Sequence, residues 1–323
     1  MIDPDADGYL GRLDRRLRKG ARVLPESFCS RHLDYLIGLQ RPDGGFAGRE
    51  GASDLYYTHF ALQSVDLLAA GLPGSIPRDL FAAGGRYLED AIPSIDDVIE
   101  CYCALRSLHI LAGHDLPREA EEMKTRALSV LRENRRPHGG YSSRPGGPPK
   151  VYQTFLAGLC YEMLGEEPPG VEEDVALVRR CRCPDGGFAD TPPAGTERTG
   201  GANPTAAALG YLLERDALSS DLLRSTRAFL SALQRTDGGF GAHAQVPVSD
   251  LLSTFTVLFT LAELDALTEV RLADAGRFAR RLSRPDGGFC GTAVQEEPDA
   301  EYTFYGLGCL AVLAGVVERR GAR

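Results

Sequence analysis

The hexapeptide Arg41-Pro42-Asp43-Gly44-Gly45-Phe46 constrains this chain more than any other feature, because it recurs. Further copies read Pro137-His138-Gly139-Gly140-Tyr141, Pro184-Asp185-Gly186-Gly187-Phe188, Thr236-Asp237-Gly238-Gly239-Phe240 and Pro285-Asp286-Gly287-Gly288-Phe289. The first glycines lie at 44, 139, 186, 238 and 287, so the gaps are 95, 47, 52 and 49 residues, and the first spans two periods. Such self-similarity marks a repeat architecture, in which each unit buries its apolar face against its neighbours.

Each motif follows an amphipathic segment and precedes a more apolar one. The amphipathic segments fall near 28–40, 77–91, 118–134, 171–183, 219–234 and 269–283. In Leu222–Leu233 the apolar positions recur at spacings of three and four, as expected of a helix with one wet face. The apolar segments open near Asp54, Asp97, Lys150, Asn203, Asp250 and Asp299, with apolar or small residues on nearly every face. Period-two runs bounded by hairpin turns are missing, so the expectation is all-α: six helical hairpins with outer and inner helices. The last inner segment, Tyr302–Val316, is as apolar as the middle ones and carries no polar cap. That favours a closed α/α toroid over an open solenoid. Residues 1–22 are read as a charged N-terminal arm outside the ring, with a short helix expected near Leu10–Leu17, and 23–323 as one toroid domain of six repeats.

The glycine pair ends an outer helix, where positive φ is cheap for glycine, and the following aromatic can anchor the turn in the core. A phosphate-cradling role is disfavoured, since no Lys-Ser/Thr follows and no strand precedes. A net charge of −9 argues against a nucleic-acid partner. No apolar run reaches the ~18 residues of a membrane helix, and a cytoplasmic location is expected. The eight cysteines form no C-x-x-C pair and are expected to be buried thiols.

The run Arg41–Arg49, followed by Asp54, Tyr57 and Thr58, resembles the repeat of protein prenyltransferase β subunits, whose α/α toroid is shared with class II terpene cyclases. The resemblance implies an isoprenoid diphosphate in an aromatic lumen, its phosphates near basic and tyrosine residues at one mouth. On that basis Arg49, Tyr57, Arg144, Tyr152 and Tyr302 are the candidate substrate contacts. Relatives of the transferase type use zinc, held by an Asp-x-Cys pair and a histidine, and pair with a helical partner subunit. Here the corresponding places read Asp250-Leu251-Leu252 and Tyr302. The remaining candidate ligands are Asp54, His59, Asp299 and Glu301, a carboxylate-rich set that suits magnesium better than zinc.

Resemblance to the cyclases implies a different chemistry. Their Asp-x-Asp-Asp acid motif is similar to Ser94-Ile95-Asp96-Asp97, which makes Asp96 and Asp97 candidate general acids. Such an acid needs burial or a neighbouring like charge to stay protonated. A third expectation is a non-catalytic toroid that binds a lipid, a protein partner or a second copy of itself. Capping of helix N-termini is the structural alternative for Asp54, Asp97, Asp250 and Asp299.

Overall fold

The computed structural model describes residues 8–114, 120–192 and 199–321. Residues 1–7 of the expected arm and 118–119 of the expected third outer helix lie outside that range. Among the described residues there are thirteen α-helices: α1 (Tyr9–Ala21) and then six pairs. The pairs are α2 (Glu26–Leu39) with α3 (Leu55–Ala69), α4 (Arg78–Ala91) with α5 (Val98–Ala112), and α6 (Ala120–Asn134) with α7 (Val151–Leu164). Next come α8 (Val171–Arg180) with α9 (Ala202–Leu213), α10 (Ser220–Ala232) with α11 (Leu251–Glu263), and α12 (Leu272–Leu282) with α13 (Ala300–Gly321). The second member of each pair is the apolar one. In α3 every residue from Thr58 to Leu68 is buried, whereas α2 and α4 each bury only a stripe.

The chain divides into two compact units: Met1–Ile95, Cys103–Arg126 and Gly276–Arg323 in one, and Asp96–Tyr102 and Ala127–Ala275 in the other. In the first, α3 packs between α13 and α4, with α2 against it. In the second, α9 packs between α7 and α11.

One hydrogen bond explains the recurrence of the motif. The backbone N–H of each motif aromatic donates to a buried threonine hydroxyl one turn into the following apolar helix. Phe46 uses Thr58 (2.9 Å), Tyr141 Thr154 (3.1 Å), Phe188 Thr205 (2.8 Å), Phe240 Thr254 (3.0 Å) and Phe289 Thr303 (3.1 Å). All five aromatic side chains are buried. Their backbones also form extended bridges to the residue that opens the next helix, such as Phe46 to Asp54 and Phe240 to Asp250. Among the described residues these one- and two-residue pairings are the strand structure, and they are too short to leave a period-two signal.

The motif aspartate closes the turn from the other side. Asp43, Asp185 and Asp237 each accept the N–H of the second glycine at 3.0 Å. Two copies take their acceptor from the next outer helix. Gly140 donates to Asp174 of α8 at 2.6 Å, and Gly288 donates to His32 Nδ1 of α2 at 2.9 Å. The first glycine has to be glycine for two reasons. Gly238 lies at φ +96°, and a Cβ there would come within 2.4 Å of the Asp274 carbonyl oxygen. Gly287, at φ +104°, would likewise meet the Arg31 carbonyl oxygen of α2 at 2.5 Å. The sixth turn therefore packs on the first outer helix.

The N-terminal segment differs from its reading as an arm. Its residues 9–21 form α1, whose Leu10, Leu13, Leu17 and Ala21 are buried, and α1 packs on α13 and α3. The reason is the apolar spacing of three and four beneath a strongly basic surface, which charge content alone obscures. All eight cysteines are buried thiols, as expected. No described helix is long and apolar enough to cross a membrane.

Two outcomes follow from the joint. Thr254→Val should leave the buried Phe240 N–H without its acceptor and cost about 1–3 kcal/mol, read as a lower urea midpoint. Burial, reinforced by the Arg31 charge, pushes His32 down to about 3. An unfolded histidine titrates near 6.5, so the unfolded chain gains a proton first and stability falls as pH drops from about 6.5 towards 3. H32N, which keeps an acceptor but cannot titrate, should lose less stability between pH 7 and 4.5 than the parent.

Candidate functional site

At the N-terminal ends of α3 and α13 the two helices stand side by side, and each starts with an aspartate cap. Asp54 accepts the Tyr57 N–H at 2.7 Å and Asp299 accepts the Tyr302 N–H at 2.8 Å. Asp97 and Asp250 do the same for α5 and α11, through Glu100 N–H (2.8 Å) and Ser253 N–H (2.7 Å). All four opening aspartates are thus N-caps, which satisfy backbone donors that a helix start leaves free.

Two side-chain bonds tie α3 and its preceding loop to α13. Arg49 donates to the buried Asp299 Oδ2 at 2.8 Å, and the Tyr56 hydroxyl donates to Glu301 Oε1 at 2.8 Å. Burial raises the Asp299 carboxyl above the usual carboxylate range, against the pull of the Tyr302 amide and the Arg49 guanidinium. Asp54 is also raised by burial. Tyr57 is raised by burial and by the negative charge of Asp299 and Glu301, which keeps its hydroxyl a donor.

Behind these polar groups lies a continuous aromatic cluster. Tyr56 meets Phe60 edge-on at 4.9 Å between centroids, Phe60 meets Tyr305 at 5.3 Å and Phe304 at 5.7 Å, and Tyr305 meets Tyr302 at 6.3 Å. Residues three and four apart share a helix face. Tyr56, Phe60, Gln63 and Asp66 therefore form one side of α3, and Glu301, Tyr305 and Gly308 one side of α13. Glycines in the adjoining loops allow the tyrosines to lie against backbone: a Cβ at Gly48 would sit 2.7 Å from the Tyr57 ring, and one at Gly291 2.4 Å from the Tyr302 ring.

The metal set expected from the sequence does not gather. Asp54 and Asp299 serve as caps, Asp299 is also paired with Arg49, and Glu301 holds Tyr56. His59 is buried on α3 beside Phe60, and burial with the nearby Arg106 charge pushes it down to about 3. Among the described residues, the three-residue group of metal-ligating type with donor atoms within 4.8 Å of one another is Asp96, Asp97 and Glu100. Zinc fits poorly, because the Asp-x-Cys and histidine places hold leucine and tyrosine.

The remaining candidates lie in the second unit. Asp96 is exposed, and Asp97 accepts the Glu100 N–H, so Asp96 lacks the burial expected of a general acid. Arg144 is exposed, and its carbonyl oxygen accepts from Ser142 Oγ at 2.7 Å. The half-buried Tyr152 donates its amide to Asp190 at 3.1 Å.

Sequence reading missed a polar network further along the same helices. Arg106 of α5, 1 % exposed, is paired with Asp14 of α1. Arg18 of α1 holds both oxygens of Asp66 of α3 at 2.9 and 2.8 Å, and His114 reaches Asp66 at 3.1 Å. The available signal was a full charge inside Cys103-Ala-Leu-Arg-Ser-Leu, where every neighbour is apolar or small.

R49A should destabilise the fold by about 1–2 kcal/mol, less than a fully buried pair would give because Arg49 is 38 % exposed. In R49A/D299N the neutral amide no longer needs a cation, and part of that loss should return in chemical denaturation.

The sequence profile of the prenyltransferase alpha-alpha toroid domain matches residues 93–198 and 171–322. A comparison with curated protein sequences finds no match. Among solved structures, protein geranylgeranyltransferase-I from Candida albicans, complexed with GGPP, superposes with a TM-score of 0.68 at 14% identity, covering 87% of this chain and 90% of that one. A type II terpene cyclase from Scytonema, MstE, bound to its substrate geranylgeranyl dihydroxybenzoate, gives 0.56 at 12% identity over 97% and 100%. A protein from Actinoplanes gives 0.54 at 17% identity over 93% and 100%. At these identities the likeness concerns the fold, and the profile match supplies the kinship. This chain, with its repeated glycine turns and six helical pairs, belongs to the prenyltransferase alpha-alpha toroid domain family.

Proposed function

We propose that the protein binds an isoprenoid diphosphate along the aromatic face of α3 and α13 and transfers the prenyl group. The observation that carries this reading is the run of Tyr56, Phe60, Tyr305 and Tyr302 rings behind a rim that holds Arg49 and Tyr57. Such a face offers an apolar wall for a hydrocarbon chain, whose burial is worth about 25 cal/mol per Å². The structural neighbours add support, since the Candida albicans enzyme was solved with GGPP and the Scytonema cyclase with a geranylgeranyl substrate.

The chemistry would begin with heterolysis of the allylic C–O bond. Diphosphate leaves with the bonding pair and the allylic carbon becomes positive. A nucleophilic atom of the acceptor then supplies the electron pair of the new bond to that carbon and releases its proton to solvent. Arg49 has five N–H donors and spends one on Asp299, so others remain for a diphosphate oxygen. The raised Tyr57 hydroxyl donates beside it. Ring faces of Tyr56 and Phe60 stabilise positive charge by about 0.5–2 kcal/mol each when desolvated. The Glu301 carboxylate, held by Tyr56, adds a negative charge at the same place. Zinc does not fit this site, because leucine and tyrosine stand at two of its three ligand places, Leu252 and Tyr302. The exposure of Asp96 weighs against an alkene-protonating cyclase that uses it.

Titration calorimetry with farnesyl and geranylgeranyl diphosphates tests the reading. At least one should bind saturably. R49A should weaken it by roughly 10- to 100-fold, the worth of a hydrogen bond to a charged group. F60A should weaken an uncharged prenyl alcohol as much as the diphosphate. Absence of binding by the parent protein would end the proposal.

A further inference from the structure

The helix that precedes the repeats bears on the same two helix faces as the aromatic cluster. On α3, Tyr56, Phe60, Gln63 and Asp66 succeed one another at spacings of four, three and three. Arg18 of α1 grips Asp66 at the far end of that stripe with both oxygens, at 2.8 and 2.9 Å. On α13, α1 lies directly against the backbone three residues beyond Gly308: a Cβ at Gly20 would fall 1.9 Å from the Ala311 carbonyl oxygen. On α5, Asp14 reaches the buried Arg106. Three apolar helices that otherwise present aromatic and aliphatic side chains thus each carry a dedicated contact to α1, two of them ionic. Leu10, Leu13 and Leu17 of the same helix are buried.

We infer that α1 is the floor of the isoprenoid-binding face and sets the length of prenyl chain the protein accepts. The inference rests on the reading given under Proposed function. A helix rises 1.5 Å per residue, so Asp66 stands roughly 15 Å beyond Tyr56 and roughly 9 Å beyond Phe60 along α3. An extended farnesyl chain matches the longer distance, whereas an extended geranylgeranyl chain exceeds it. The charges explain why the floor is fixed. Arg106 is 1 % exposed, and a buried guanidinium without a carboxylate is strongly unfavourable, so Asp14 holds α1 in place. The short connection from Ala21 to Glu26 restricts α1 further.

The experiment measures binding of geranyl, farnesyl and geranylgeranyl diphosphates to the full chain, to a variant lacking residues 1–21, and to L13A. For the full chain, affinity should rise from geranyl to farnesyl and then fall by about tenfold or more for geranylgeranyl. L13A, which leaves both ionic anchors intact, should narrow the farnesyl-to-geranylgeranyl ratio. Removal of residues 1–21 should abolish it, provided a cooperative melt shows that the shortened chain folds. If it does not fold, the length series on the full chain and the L13A ratio decide. Equal or stronger binding of geranylgeranyl diphosphate by the full chain would overturn the floor while leaving the isoprenoid reading intact. So would an unchanged ratio in folded L13A. If no prenyl diphosphate binds the full chain, the isoprenoid reading fails and the floor with it.

Discussion

The structure depends on the hydrogen bond from the motif aromatic's backbone to a threonine in the next helix. A glycine-rich turn that ends one helix and starts another leaves several backbone donors and acceptors in the interior, where each must find a partner. The threonine takes the aromatic N–H, the aspartate or a substitute takes the second glycine's N–H, and the aromatic ring fills the space between layers. Because the first glycine approaches the next outer helix without a side chain, each turn also fixes the position of the following repeat. One local solution thus sets both the hairpin and its stacking.

The two copies that change the acceptor show how tightly the need is felt. Where His138 stands in place of the motif aspartate, Asp174 of the next outer helix supplies the oxygen. At the sixth turn, Asp286 is present, but His32 of the first outer helix accepts from Gly288 and its ring stacks on Phe289 at 4.8 Å. The contact between last and first repeats is therefore built from the same parts as the internal joints. Arg49 with Asp299 and Tyr56 with Glu301 reinforce it at the helix starts. The candidate site and this joint share residues, so the groups that would meet a ligand are also the groups that hold the terminal repeats together.

Electrostatics divides the faces of α3 and α13 into two zones. Near the helix starts, carboxylates raised by burial sit beside one guanidinium and several hydroxyls. Further along, Asp66 is held below the usual carboxylate range, where His114, Arg18 and Arg106 outweigh its burial, and this zone is committed to α1. Apolar aromatic surface separates them.

The sequence by itself determined the helical hairpins, their number and the turn that joins them, because periodicity and the glycine motif are local and repeat in register. It also placed the opening aspartates at helix starts, where N-capping is a property of a few consecutive residues. It could not tell which of those carboxylates share a partner. The pairing of Arg49 with Asp299 spans 250 residues and exists because the sixth turn packs on α2. The expected metal set dissolved for the same reason: Asp54, His59, Asp299 and Glu301 lie near one another in the sequence scheme but point to different neighbours. Residues 9–21 read as an arm because six of the thirteen residues in that helix are charged, and only tertiary contact shows that Asp14 and Arg18 meet Arg106 and Asp66. Burying those charges requires partners from distant helices, and such partners are decided by packing and not by any local pattern.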